Sequence, residues 1–310
     1  MRIVRPFLAL AALGVCAAPA VFTLSPTAWR VASLFFLAVV IASGLHVVLG
    51  LTRIVSLCHF ALVGVGAYTA GYLSLHQYTP TVLSVFLGAV AGGTVAFAIA
   101  FLTRTLADHY LTLATLAANE ILVNVFRSAT NLTGGVNGMT GVPPLSLMGH
   151  ELSQPAMYYP VVACAGLTIT FFVRQLESWP LGHALRAMGD VGSQIASLGI
   201  SESRLRMRGF LLGGVLAGLA GGLMAHIDGF VGPESFGVGY SVLYICFLVL
   251  LGVGRLRGVF VTASVTVLAA EALRALFAWQ MVILSAAAIM AMIARRAPRP
   301  VPVLQKGQGA

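Results

Sequence analysis

Long apolar runs follow one another along almost the whole chain with little polar sequence between them, and no fold that faces water on all sides can bury them. A helix rises about 1.5 Å per residue and a bilayer core is about 30 Å thick, so a crossing needs about 20 apolar residues. Spans are predicted at approximately 6 to 24, 31 to 50, 58 to 75, 81 to 103, 109 to 126, 157 to 174, 208 to 227, 241 to 253, 259 to 275 and 279 to 294. The third, eighth, ninth and tenth are short, which suits half-helices or re-entrant segments. The expected fold class is therefore an all-α polytopic membrane protein of about 8–10 transmembrane helices, some short or broken, in a single domain over residues 1–310. Composition agrees: 59% of residues are hydrophobic and 9% are charged, against roughly 25% charged in a soluble chain.

The charges between the runs carry orientation. The chain has 18 basic and 9 acidic residues and a net charge of +9, and every basic residue except Lys306 is arginine. A nucleic-acid binder gathers such charge on one face beside aromatic platforms; here the arginines stand singly or in small groups between apolar runs, which excludes that class. With a cytoplasmic N-terminus and ten crossings, only Arg30, Arg127 and Arg274 fall outside, as the positive-inside rule requires, and both termini are expected in the cytoplasm. Arg2 and Arg5 before the run Phe7 to Phe22 also resemble a secretory signal, but a first transmembrane helix explains the same residues. The cysteines Cys16, Cys58, Cys164 and Cys246 lie in or beside apolar runs without a close pair, as buried soft hydrophobes do.

Glycines recur at small-residue spacing: Gly64 and Gly66; Gly88, Gly92 and Gly93; Gly213, Gly214, Gly218, Gly221 and Gly222. Such series let helix backbones approach where lipid supplies no hydrophobic drive between helices.

Two connections differ in chemistry. Residues 133–144, TGGVNGMTGVPP, are too rich in glycine and proline for a helix and are expected as an extracytoplasmic turn-rich loop. Thr133, Asn137 and Thr140 there either meet a polar solute or serve the turn. Residues 175–208 form the longest expected cytoplasmic loop, and within it Ala184, Leu185, Met188, Val191, Ile195 and Leu198 recur at spacings of three and four opposite His183, Arg186, Asp190 and Gln194. That pattern predicts a short amphipathic helix ending near Gly199. Its stripe lacks Trp or Phe anchors, which favours docking in a cleft of a soluble protein over lying on lipid.

Ionisable groups inside spans are costly unless paired or wetted. Asn119, Glu120 and Asn124 share one span and either line a pathway or form interhelical hydrogen bonds. Glu271 and Arg274 are spaced to pair, His59 and His226 read as hydrogen-bonded helix residues, and Asp228 and Glu234 either as exposed turn acids or as groups that position a solute's amino group. No phosphate loop, zinc helix or nucleophile elbow is present, so no catalytic residues, cofactor or metal are expected, and any nucleotide hydrolysis belongs to another chain.

SLCHFALVGVGAYTAG (56–71), TGGVNGMTGVPP (133–144), HALRAMGD with the later Leu198, Gly199 and Ile200, and FLLGGVLAGLAGGLMAHIDGFVGPESF (210–236) occur in this order. Together they resemble the permease subunits of ATP-binding-cassette importers for branched-chain amino acids, of the M type. The resemblance implies a cytoplasmic coupling helix, with Leu185, Arg186, Met188, Asp190 and Gly199 facing ATPase subunits. It also implies a second homologous permease, a periplasmic solute-binding protein and residence in a bacterial inner membrane. Asn119, Glu120, Asn124, Thr133 and Asn137 become candidates for a path taken by an amino acid, or by urea or a short amide as in other members. A secondary transporter is the other mechanism, with Glu120 as its ion-coupling group. The chain departs from the family pattern at Val191 and Gly192, where Asn-Glu is usual, and at Val259, where proline is usual.

Overall fold

The computed structural model describes residues 26–147, 149–191, 195, 199–252, 254–272, 282, 285–287, 289 and 290. The first expected span and most of the tenth, together with Arg274 and Cys16, lie outside the described residues.

The other eight spans are helices: α1, Pro26–Leu45, continued by a π-helical turn, His46–Leu51; α2, His59–Leu75; α3, Thr81–Leu102; α4, Asp108–Ser128; and α5, Pro155–Ser178. After α6, Pro180–Val191, come α7, Glu202–Asp228; α8, Val238–Gly252; and α9, Leu256–Ala272. The stretches 26–51, 81–102, 155–178, 202–228 and 233–252 are long and apolar enough to cross a membrane. The remaining three are shorter or more polar: α2 and α9 have 17 residues each. The fold is all-α and polytopic; its strands are two-residue pairs, β1 (Met139–Thr140) with β4 (Phe230–Val231) and β2 (Ser146–Leu147) with β3 (His150–Glu151), all antiparallel.

Successive long helices alternate in direction. Residues 133–144 lie at one end of the bundle, here the loop end; α6 lies at the other, the α6 end. Hydrogen bonds fix the match of levels, since Ser74 near the close of α2 meets His226 near the close of α7, and Glu177 near the close of α5 meets His46 at the π turn.

Glycine sets the centre. α2, α3 and α7 approach until backbone touches backbone: a Cβ on Gly66 would collide with Gly218, one on Gly88 would stand 2.7 Å from Gly66 O, and one on Gly92 2.7 Å from Gly214 O. The side-chain packing that a larger residue would supply is replaced by close contact along three helices. α1 leans on this trio through Gly44 and Gly213, and on α5 where Phe36 fills the space beside Gly166. Outward, α3 presents Val82, Leu83, Phe86, Val90, Phe97 and Phe101, an apolar face suited to lipid.

Two irregular segments enter the bundle from opposite ends. α2 begins where His59 Nε2 donates to Ile41 O at 3.0 Å, ten residues or about 15 Å short of Leu51 along α1. From the loop end, the 3-10 turn Pro233–Phe236 reaches down until Phe236 packs on Gly64, eleven residues or about 16 Å below Leu75. Backbone of this kind is tolerated at membrane depth where protein encloses it, and at the α2 entry side chains meet two of its donors: Phe60 N donates to Ser241 Oγ at 3.1 Å and Leu57 N to Thr115 Oγ1 at 3.1 Å.

Candidate translocation flank and coupling junction

Among the described helices of 20 residues or more, α4 alone falls outside the strongly apolar set, and the reason is a polar flank. Thr112, Glu120 and Asn124 stand at multiples of four, with Leu116 between the first two, so they drift slowly round one side of the helix. Glu120 and Asn124 are exposed on this chain, and Glu120 has no ion-pair partner among the described residues. Tyr110, Ile121 and Val125 occupy the other exposed side, and exposed Leu113 shares the face of Glu120 and Asn124. The inward face is Leu111, Thr115, Asn119, Val123 and Phe126, all buried.

The three expected pathway residues of α4 therefore part company. Asn119 is fully buried, and neither Oδ1 nor Nδ2 finds a hydrogen-bond partner among the described residues. Thr115 opposite Leu57 and Phe126 opposite Gly64 place Asn119 level with the first turn of α2, because α2 and α4 run in the same direction. Glu120 and Asn124 stay together on the outer surface. The loop-end candidates part as well. Thr133 is buried and spends its hydroxyl within its own turn, donating to Phe126 O at 2.6 Å or Ala129 O at 2.8 Å and accepting from Gly135 N at 3.2 Å. It closes the turn instead of facing a solute. Asn137 is exposed.

The glycine-rich segment itself is tied down. Gly134 takes φ 76°, where a side chain would run into Gly138, and β1 pairs with β4, Met139 opposite Val231. His226 joins it to the helices, with Nδ1 2.8 Å from Pro143 O and Nε2 3.3 Å from Ser74 Oγ. Two ion pairs that sequence reading missed flank it: Arg30 with Asp228 at 3.3 Å, and Arg127 with both carboxylate oxygens of Glu234 at 3.0 and 3.2 Å. Glu234 is an exposed turn acid as expected and Asp228 is half-buried, but each is also the partner of a loop-end arginine; partners about 100 and 200 residues apart leave no local signal in sequence.

At the α6 end, the stretch 175–208 is largely helical. α5 runs on to Ser178, α6 starts with Pro180 at its first turn, and α7 begins at Glu202. The basic residues Arg204, Arg206 and Arg208 are therefore on α7, and Arg206 is buried, bonded to Glu202 Oε1 at 2.7 Å and to Leu106 O at 2.8 Å. The apolar stripe expected to enter a partner's cleft is covered by this chain: Leu185 and Met188 are buried, with Leu185 against Gly209 of α7. His183 and Asp190 remain exposed, and Arg186 partly so. Residues 192–194 and 196–198 lie outside the described residues; Ile195 is buried, and Gly199, with φ 74°, has open space around it.

α6 is fastened to the π turn. His46, fully buried, donates from Nε2 to Glu177 Oε1 at 2.8 Å, which fixes its tautomer; the same oxygen lies 3.4 Å from an Arg186 nitrogen. Arg53 meets Asp190 at 2.6 Å. A Cβ on Gly189 would stand 2.8 Å from Leu51 O, so only glycine allows α6 this close.

Residues 27–294 match the family model described as branched-chain amino acid transport system / permease component. The high-affinity branched-chain amino acid transport system permease protein LivM of Escherichia coli is 29% identical over 319 residues, covering 94% of this chain and 74% of that one. The autoinducer 2 import system permease protein LsrC of an Enterobacter species is 30% identical over 216 residues, 67% of this chain and 58% of that one. A probable branched-chain amino acid transport permease protein LivM of Methanocaldococcus jannaschii is 25% identical over 140 residues, 45% and 40% of the two chains. No solved structure matches. From the ordered glycine-rich motifs, the bundle they build and a family match over residues 27–294, the chain belongs to the permease components of branched-chain amino acid transport systems.

Proposed function

We propose that this chain is one of two permease subunits of an ATP-binding-cassette importer, and that it conducts branched-chain amino acids from a periplasmic binding protein to the cytoplasm along the polar flank of α4. The observation that carries this reading is Glu120 at mid-helix, exposed on the single chain one turn from Asn124 and two from Thr112. A carboxylate facing lipid there costs about 2.5–3.5 kcal/mol, whereas one facing a second permease across a wetted path has solute and water for company. The flank faces out of the bundle, as expected for a path between two subunits. A carboxylate also favours a solute with an ammonium group over neutral urea or a short amide, which supports an amino acid as cargo.

Orientation follows from charge. Arg53, Arg104, Arg174, Arg186, Arg204, Arg206, Arg208, Arg255 and Arg257 lie at the α6 end by their helix positions, while Arg30 and Arg127 lie at the loop end, each paired with a carboxylate. The positive-inside rule puts the α6 end in the cytoplasm, so α6 meets the ATPase; with one further crossing before α1 and one after α9, both termini are cytoplasmic. With Leu185 and Met188 turned inward, the ATPase is met by the exposed face of α6 at His183, while Arg186 and Asp190 are held by Glu177 and Arg53 of this chain.

Reconstitution of the chain with its companion permease, ATPase and binding protein tests this. ATP-dependent leucine uptake is expected, and Glu120→Gln is expected to lower it about tenfold or more with normal assembly, the scale of one lost charge contact. Uptake by Glu120→Gln equal to that of the unsubstituted chain, or uptake that needs an ion gradient instead of ATP, would sink the reading.

A further inference from the structure

The fastening of α6 has backbone features that packing alone does not demand. The π turn puts an extra residue into the ladder of α1, and such turns concentrate at functional sites. Immediately after it, Arg53 holds φ 56°, a left-handed backbone that a long side chain rarely adopts and that persists where its surroundings impose it. The surroundings are visible: Arg53 N donates to Leu49 O at 3.1 Å, Thr52 Oγ1 donates to Val48 O, and the Arg53 guanidinium reaches Asp190.

Beyond Arg53 the chain runs directly to the polar flank. Val55 O accepts from Thr112 Oγ1 at 3.3 Å and Leu57 N donates to Thr115 Oγ1 at 3.1 Å, after which α2 begins. Asp190 and Arg186 on α6, the π turn, residues 53–57 and the first half of α4 are therefore joined end to end by ion pairs, hydrogen bonds and the chain itself.

We propose that Arg53 with Asp190, and Glu177 shared between His46 and Arg186, are positioning residues that turn a displacement of α6 into a displacement of the Thr112–Glu120 flank. This rests on α6 being the helix that the ATPase moves. Stability is not the reason for the Arg53 pair: the two side chains are 64% and 48% exposed, and ion pairs in contact with water add little to folding. What the pair supplies is direction, since it holds the tip of α6 to one residue of a bent segment whose other end hydrogen-bonds α4. Glu177 does the same one turn earlier along α6, through Arg186, from a drier position beside the fully buried His46.

Charge exchange tests the joint in the complete transporter in proteoliposomes, with leucine uptake and ATP hydrolysis measured together. Arg53→Asp and Asp190→Arg are each expected to lower uptake per ATP at least about fivefold, the lower end of ordinary coupling effects, with complex yield and thermal midpoint unchanged. The double variant with both charges exchanged is expected to return to within about twofold of the starting ratio, because the pair is restored with reversed sign. Glu177→Gln is expected to uncouple in the same direction. Single variants with a normal ratio, or a double variant as uncoupled as the singles, overturn the joint alone. Failure of the ATPase to co-purify with the unsubstituted chain overturns the underlying reading of α6, and the joint with it.

Discussion

Glu120 and Asn119 are neighbours with opposite fates, and the difference is one residue's turn round a helix. A step of one residue rotates about 100°, enough to send the amide into the protein beside the start of α2 and leave the carboxylate outside. Sequence marks both as costly in a span, but rotation about the axis is set by what α4 packs against, and Thr115 and Phe126 settle that through partners in and beside α2. Arg206 shows the same limit. It sits in a run of arginines that look alike, yet it is the buried one because the Leu106 carbonyl at the close of the α3–α4 turn needs a donor. The glycines are more legible, since nothing but close approach explains small residues at intervals of four on several helices. Gly66→Val is expected to cost about 3 kcal/mol or more, because its neighbour is backbone that cannot move aside and overpacking against side chains already costs about 1–3 kcal/mol. Purified monodisperse yield and thermal midpoint measure it; a variant as stable as the parent would mean that α2 and α7 do not touch there.

α6 illustrates what an amphipathic pattern can and cannot say. The periodicity from Ala184 to Met188 announces a helix with one covered face, but periodicity does not name the cover. It leaves a soluble partner and lipid open, and the cover is the chain's own α7 and π turn. The predicted consequence is a division between the two faces. Leu185→Asp buries an unpaired charge and is expected to lose about 3 kcal/mol or more, seen as poor membrane accumulation. His183→Ala, on the exposed face, is expected to leave accumulation intact and weaken ATPase co-purification. If Leu185→Asp accumulates normally and releases the ATPase instead, the faces are the other way round. The helix begins ahead of its stripe, at Pro180, a residue that reads as a breaker in sequence although at a first turn its missing N–H is no loss.

For the molecule as a whole, spans and charge bias are written plainly in the sequence, and eight of the ten expected spans correspond to described helices within a few residues at most ends. The largest difference is at α7, whose first turn and a half carries charges and so falls below an apolar threshold. The ion pairs at the loop end and the two irregular entries are not legible, since both depend on partners brought together by the finished bundle. Orientation is open to direct measurement: in a cysteine-free background, Val136→Cys is expected to react with an impermeant thiol reagent added outside cells, and Arg257→Cys only after permeabilisation. The reverse pattern would invert the transporter. The trio α2, α3 and α7 carries one more consequence. Helices whose backbones interlock cannot shear past one another without climbing over each other's Cα atoms, so the trio serves as the stator of the machine. Movement is expected at its rim, in α4 with the bent segment below it and the 3-10 turn above, so that on the proposed path the gap for cargo opens beside the glycine-packed centre.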